Sequence, residues 1–285
     1  MAEHKRLKIG LCNEMFQDWS VEAVLDYVAQ LGCDGVEIAP YTLADTLDDL
    51  SAERRRAIRR AAERADVEIV GLHWLLVKPE GLSINCPDAA VRARTAEYLR
   101  ALIRLCADLG GRVLIHGSPG QRTVREGWSE AESWHRARET FESCLSTLEQ
   151  CGATYCIEPL SRDQTNFVNT VADAVRLVRE IGHPGFQLMV DCRSAEADGG
   201  SAVAELDAAI ASGHLRHVHV NDANGRGLGF GRVRFSPILQ RLLTSDYRGY
   251  VSVEVFQFDP DPRTIAARSV GYLKGILEAL TPAIS

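Results

Sequence analysis

Eight times along the 285-residue chain, a short apolar run with β-like character is followed by a longer stretch whose apolar residues recur three and four apart. The β-like runs are LKIGLC (7–12), GVEIA (35–39), VEIVGLH (67–73), RVLIHG (112–117), ATYCIEP (153–159), FQLMVD (186–191), LRHVHVND (215–222) and GYVSVEVF (249–256). Between them, segments such as VEAVLDYVAQLG, ARTAEYLRALIRLCADLGG, ARETFESCLSTLEQCG, VADAVRLVREIG and FSPILQRLLTSDYRG carry the helical period, and most end on a glycine. Strands that alternate with helices form a parallel sheet. Eight repeats, with no proline-rich linker or break in composition, predict an α/β fold closed as a single (β/α)8 TIM barrel over residues 1–285. An open doubly wound sheet would place a glycine-rich turn after its first strand for a nucleotide, and GLCNEMFQDWS has none.

Composition narrows the partners. A formal charge of −7 argues against nucleic acid, because phosphate backbones are held by clustered Lys and Arg. The basic run around Arg54 to Arg64 alternates with Ala and Ile, as the solvated face of a helix does. The sequence has no 18-residue uncharged apolar stretch, and MAEHKRLKIG carries no apolar signal region, so neither membrane insertion nor secretion is expected and the cytoplasm is the default location. Eight cysteines without a CxxC pair read as reduced, mostly buried thiols. The sequence leaves a homo-oligomer open.

Active sites of such barrels lie at the C-terminal ends of the strands. There this chain places Glu37, His73, His116, Glu158, Asp191, His217, His219 and Glu254 among Val, Ile and Leu. A lone strand carboxylate such as Glu37 is more often structural than catalytic. Glu, Asp or His on seven strands of eight is a stronger signal, since buried like charges repel and a divalent cation makes such a group tolerable. Carboxylates with an imidazole form a hard donor set, suited to Mn²⁺, with Mg²⁺ or Co²⁺ as alternatives, rather than to a thiolate zinc site. His217 and His219 share one strand face, so one can ligate while the other lies deeper. The loop GRGLGFG matches neither dinucleotide nor P-loop glycine spacing and reads as a segment that lets backbone approach a bound substrate.

CIEPLSRDQTNFVNT, FQLMVDCRS, HVHVNDANGRGLGFG and GYVSVEVF together resemble the consecutive motifs of the xylose-isomerase-like TIM-barrel superfamily. The likeness is greatest to its sugar phosphate isomerase/epimerase group, which includes ketose 3-epimerases. The N-terminal half matches by barrel pattern and by GLHWLL. The resemblance implies a metal held by Glu158, Asp191, His219 and Glu254, and a proton exchanged by Glu158 and Glu254 at the carbon beside a carbonyl, through a metal-stabilised enediolate. It also implies a small carbohydrate-like substrate.

Three positions depart from the ketose 3-epimerase pattern. Ser194 stands where a substrate-contacting His is expected, Gln164 where a Glu is expected, and Gly225, beside Arg226, where a loop Arg is expected. His73, Trp74, Lys78 and His116 are candidates to replace those contacts, with Arg162, Gln164, His217 and Arg226 as further substrate-binding candidates, although Trp74 fits packing equally well. At least one of Arg162, Gln164, Asn166 and Asn169 is expected to face the substrate. The altered positions leave another polyol, a cyclitol or a glycoside open as substrate. The alternative reaction is a metal-dependent dehydratase or lyase, working alone or with a partner subunit. An apurinic-site endonuclease and a non-catalytic binding protein on the same scaffold are weaker alternatives.

Overall fold

The computed structural model describes residues 6–281, and all eight expected strands are present in it. They are β1 (Lys8–Cys12), β2 (Gly35–Ile38), β3 (Glu68–Leu72), β4 (Val113–His116), β5 (Thr154–Ile157), β6 (Phe186–Asp191), β7 (Leu215–Val220) and β8 (Tyr250–Val253). Each pairs in parallel with the next, and β8 pairs with β1, so the sheet closes as a barrel. The surrounding helices are α1 (Val21–Gln30), α2 (Ala52–Ala65), α3 (Ala89–Leu109), α4 (Glu130–Glu142), α5 (Leu145–Cys151), α6 (Val171–Ile181), α7 (Cys192–Glu196), α8 (Ala202–Ser212), α9 (Phe235–Thr244) and α10 (Pro262–Leu280).

Local chemistry sets the helix ends. Ser20, Ser51, Ser129, Thr170 and Ser201 each accept a backbone N–H from the first turn of the helix that follows. Gly110, Gly152, Gly182 and Gly213 close α3, α5, α6 and α8 in the left-handed conformation. The basic run forms α2, with Ile58, Ala61 and Ala62 turned inward. The sequence pattern ARETFESCLSTLEQCG reads as one helix, but the chain breaks it between α4 and α5. There Ser143 Oγ donates to the Thr140 carbonyl at 2.7 Å and Cys144 Sγ to the same carbonyl at 3.5 Å, back-bonding that competes with the helical ladder.

Two layers of apolar side chains result from the period of two along each strand. Leu11, Ile38, Leu72, Leu114, Ile157, Leu188, Val218 and Val253 belong to the large core shared with the helices. Ile115, Cys156 and Met189 form a small separate cluster inside the barrel. Small residues let the strands close around it: a Cβ on Gly71 would stand 1.8 Å from the Val113 carbonyl oxygen. Residues in phase with Cys156 and Met189 line the barrel axis, and at the strands' C-terminal ends these are Glu158 and Asp191. The register pairs Met189 with His217 and Asp191 with His219, so both histidines also point inward. None of the helices in the described residues is long and apolar enough to cross a membrane.

Candidate metal centre

Glu158, Asp191, His219 and Glu254 converge at the mouth of the barrel, each offering a donor atom, and these atoms all lie within 4.8 Å of one another. All four are buried. Burial, with repulsion from Glu254 and then Asp191, pushes the Glu158 carboxyl well above its usual range, and burial and Glu254 push Asp191 upward. Burial would also raise Glu254, but His219 and His73 outweigh it and hold that carboxylate below its usual value. Three facing carboxylates on one imidazole form an oxygen-rich, divalent-cation donor set, and the next layer of contacts is built to orient it.

Glu37 is central to that layer. Its two oxygens face His217 Nε2 at 2.7 Å and His219 Nε2 at 3.0 Å. A carboxylate only accepts, so His219 presents its Nε2–H to Oε2. His219 is thereby turned so that Nδ1 faces the other donors, 3.0 Å from Glu254 Oε2. Burial alone would lower the His219 pKa, yet Glu254 and Glu37 hold it well above the usual imidazole value. His217 lies deeper, as its position two residues earlier requires. Asp191 is fixed on both oxygens: Ser194 N donates to Oδ1 and Asn221 Nδ2 to Oδ2, each at 2.7 Å. On the other side, His73 bridges Glu254 Oε1 at 3.2 Å and Glu14 Oε2 at 3.3 Å.

A small pocket opens onto this centre, lined in part by His73, Trp74, Glu158, Gln164, Glu254 and Phe256. The Trp74 indole meets Phe256 edge-on at 6.2 Å, and its backbone has φ of 51°, a costly conformation for a bulky residue. Gly117 lies where a Cβ would stand 2.6 Å from Glu158 Oε2.

The other predicted substrate contacts are distributed differently. His116 is buried but points outward, its Nδ1 2.6 Å from the Tyr155 hydroxyl and its ring edge-on to Phe141. It follows Ile115, which faces the barrel axis, so the period of two turns it into the helix layer and away from the pocket. Lys78 is exposed and paired with Asp45. Arg226 is partly exposed, 2.5 Å from Asp259. Arg162 lines a neighbouring groove rather than this pocket. Of the four polar residues after Glu158, Gln164 reaches the pocket. Asn166 is bonded to the Val124 backbone and Asn169 to the Leu160 and Thr165 carbonyls. The glycine loop folds over the carboxylate of Asp222, whose Oδ1 accepts Ala223 N and Arg232 N at 2.9 Å, and Gly225 O accepts Phe256 N at 2.8 Å.

Three residues of this region are not evident from the strand-end pattern. Glu14 follows β1 in a single 3₁₀ turn, and burial raises its carboxyl above the usual range. Asn221 sits two residues beyond His219, on the same alternation. Arg122 is fully buried; its Nη1 donates to the His116 carbonyl at 3.4 Å, while Nε and Nη2 have no hydrogen-bond partner among the described residues. Burial lowers its pKa to about 10, against the opposing pull of Glu158.

Fold and site together define a (β/α)8 barrel with a carboxylate-rich group of donors that could hold a metal ion at the C-terminal ends of its strands. The chain belongs to the xylose isomerase-like TIM barrel family, whose model matches residues 25–276. It is similar to D-psicose 3-epimerase of Ruminiclostridium cellulolyticum, with 25% identity over 84% of this chain and 80% of that protein. It is also similar to 3-dehydro-D-guloside 4-epimerase of Escherichia coli, at 24% identity over 94% of this chain and 99% of that protein. Among solved structures, an L-ribulose 3-epimerase superposes with a TM-score of 0.84 at 20% identity, covering 96% of both chains. The apo form of 3-keto-D-glucoside 4-epimerase from Escherichia coli gives 0.82 at 20% identity, covering 95% of this chain and all of that one. These superpositions bear on the fold. With the sequence relatives, the chain is an enzyme of the isomerase/epimerase type.

Proposed function

We propose that the chain is a divalent-metal-dependent epimerase of a small sugar, with Mn²⁺ bound by Glu158, Asp191, His219 and Glu254 and with Glu158 and Glu254 exchanging the proton. The observation that carries this reading is the convergence of two glutamates, from strands three apart in the barrel, on one four-donor centre. When bound, the cation would supply Lewis-acid stabilisation of negative charge on a substrate carbonyl oxygen. A carbon beside that carbonyl, held between the two carboxylates, can lose its proton to one glutamate and regain one on the opposite face from the other. Trp74 and Phe256 would shield the reacting carbon from bulk water.

Mn²⁺ is preferred because the donors are three carboxylates and one imidazole. A cytoplasmic location also belongs to this reading, supported by eight free cysteines, six of them buried. The test pairs metal analysis of protein purified without chelator with epimerisation assays on ketoses and keto-glycosides. One divalent ion per chain, lost in Asp191→Asn together with activity, is expected. Full activity in metal-stripped protein would overturn the proposal.

A further inference from the structure

Gln164 and Ser194, two of the three positions that depart from the ketose 3-epimerase pattern, are bonded to each other. Gln164 Nε2 donates to Ser194 Oγ at 3.1 Å and to Ser161 Oγ at 2.9 Å. On one side of this bond lies the pocket with Glu158 and Glu254. On the other lies a groove of about 210 Å³, bounded by the β5–α6 loop and by α7 and α8, with Asp191 and Ser194 in its wall. The pocket is nearly filled by its own side chains, so the groove supplies the room beside the centre. The small side chains of Ala195 and Ala197 leave that space open, and the neutral pair Gln164 and Ser194 puts no charge at the junction.

Backbone chemistry decides what the groove can take. A phosphate would seek free N–H groups at the start of α6, which borders the groove. Those groups are already used: Val171 N donates to Glu205 Oε2 at 3.0 Å, and Asn169 N and Thr170 N donate to Asp173 Oδ2 at 3.1 Å. An anion there would have to displace a carboxylate and then sit beside it. A neutral, hydroxyl-rich group meets no such conflict and finds donors and acceptors in Arg162, Thr170 and Glu205.

We infer that this groove is a subsite for a neutral glycosyl substituent, so that the substrate is a keto-sugar bearing a second sugar unit rather than a free or phosphorylated ketose. The inference rests on the sugar-epimerase reading of the adjoining centre and specifies its substrate class.

The test is calorimetric titration of Mn²⁺-loaded protein with D-fructose, D-fructose 6-phosphate and three hexosyl-fructoses linked through O3, O4 and O6 (turanose, lactulose and isomaltulose). At least one disaccharide is expected to bind about tenfold or more tightly than fructose, with fructose 6-phosphate no tighter than fructose. Ala197→Trp, which fills the groove, should abolish that preference. Tightest binding by fructose 6-phosphate, no disaccharide tighter than fructose, or a preference that survives Ala197→Trp would overturn the inference. Solvent deuterium exchange into the tightest-binding of these sugars by the same preparation reports the epimerase reading separately, so either can fail without the other.

Discussion

Replacing Glu37 with Gln tests how the metal centre is oriented. In the native chain Glu37 Oε2 accepts from His219 Nε2 at 3.0 Å, and Oε1 lies 2.7 Å from His217 Nε2. A glutamine keeps the shape but offers one acceptor and one NH₂ group, so one of the two imidazoles meets a donor. If His219 answers by moving its proton to Nδ1, it loses the lone pair that faces Glu158, Asp191 and Glu254. If it does not, a buried N–H is left unpaired, at a cost of about 1–3 kcal/mol. Loss of such an outer carboxylate typically weakens metal affinity by about 10- to 100-fold, equivalent to about 1.4–2.7 kcal/mol, so the two routes agree in size. The assay is calorimetric titration of chelator-stripped wild type and Glu37→Gln with Mn²⁺, with circular dichroism to establish that both are folded. A folded variant whose Kd lies within about twofold of wild type would refute the claim that Glu37 sets the His219 tautomer.

Glu158→Gln and Glu254→Gln should each lower turnover by at least about 10²- to 10⁴-fold, measured at saturating Mn²⁺ so that weakened metal binding is not mistaken for lost proton transfer. Arg122→Met removes a buried cation whose charge opposes Glu158, and removing one member of a buried charge pair typically costs about 3–5 kcal/mol. Its Tm should therefore fall by more than about 5 °C in a thermal melt, whereas an unchanged or higher Tm would show that Arg122 is not needed to balance Glu158. Chelator treatment should lower Tm by roughly 5 °C relative to protein in Mn²⁺ at about a hundred times its Kd, from the binding free energy withdrawn. No change in Tm would argue against a cation at this centre.

The strand-end carboxylates and histidines were legible because a period of two, once its phase is known, separates axis-facing from helix-facing positions. In β7 the phase is visible, since His217 and His219 alternate with Val218 and Val220. In β4 it is not: Val113, Leu114 and Ile115 are all apolar, so His116 looks equivalent to His73 until the structure shows Ile115 on the axis. Glu37 illustrates a second limit. Its position was evident, but its grip on two imidazoles depends on contacts made across the barrel. Glu14 lies beyond its strand in a turn whose path no periodicity specifies, and Arg122 enters the interior from a loop, with nothing local to distinguish it from a surface arginine. The groove beside Ser194 is assembled from the β5–α6 loop and the ends of α7 and α8, so it exists only in the folded chain.

Proton exchange between two glutamates at one metal centre is the central claim, and epimerisation in deuterated water tests it most directly. Mn²⁺-loaded enzyme acting on a keto-sugar that it epimerises should place solvent deuterium at the inverted carbon in the product. Glu158→Gln and Glu254→Gln, with metal bound, should lose that exchange. Epimerisation without deuterium at that carbon, or undiminished exchange in both variants, would contradict the account.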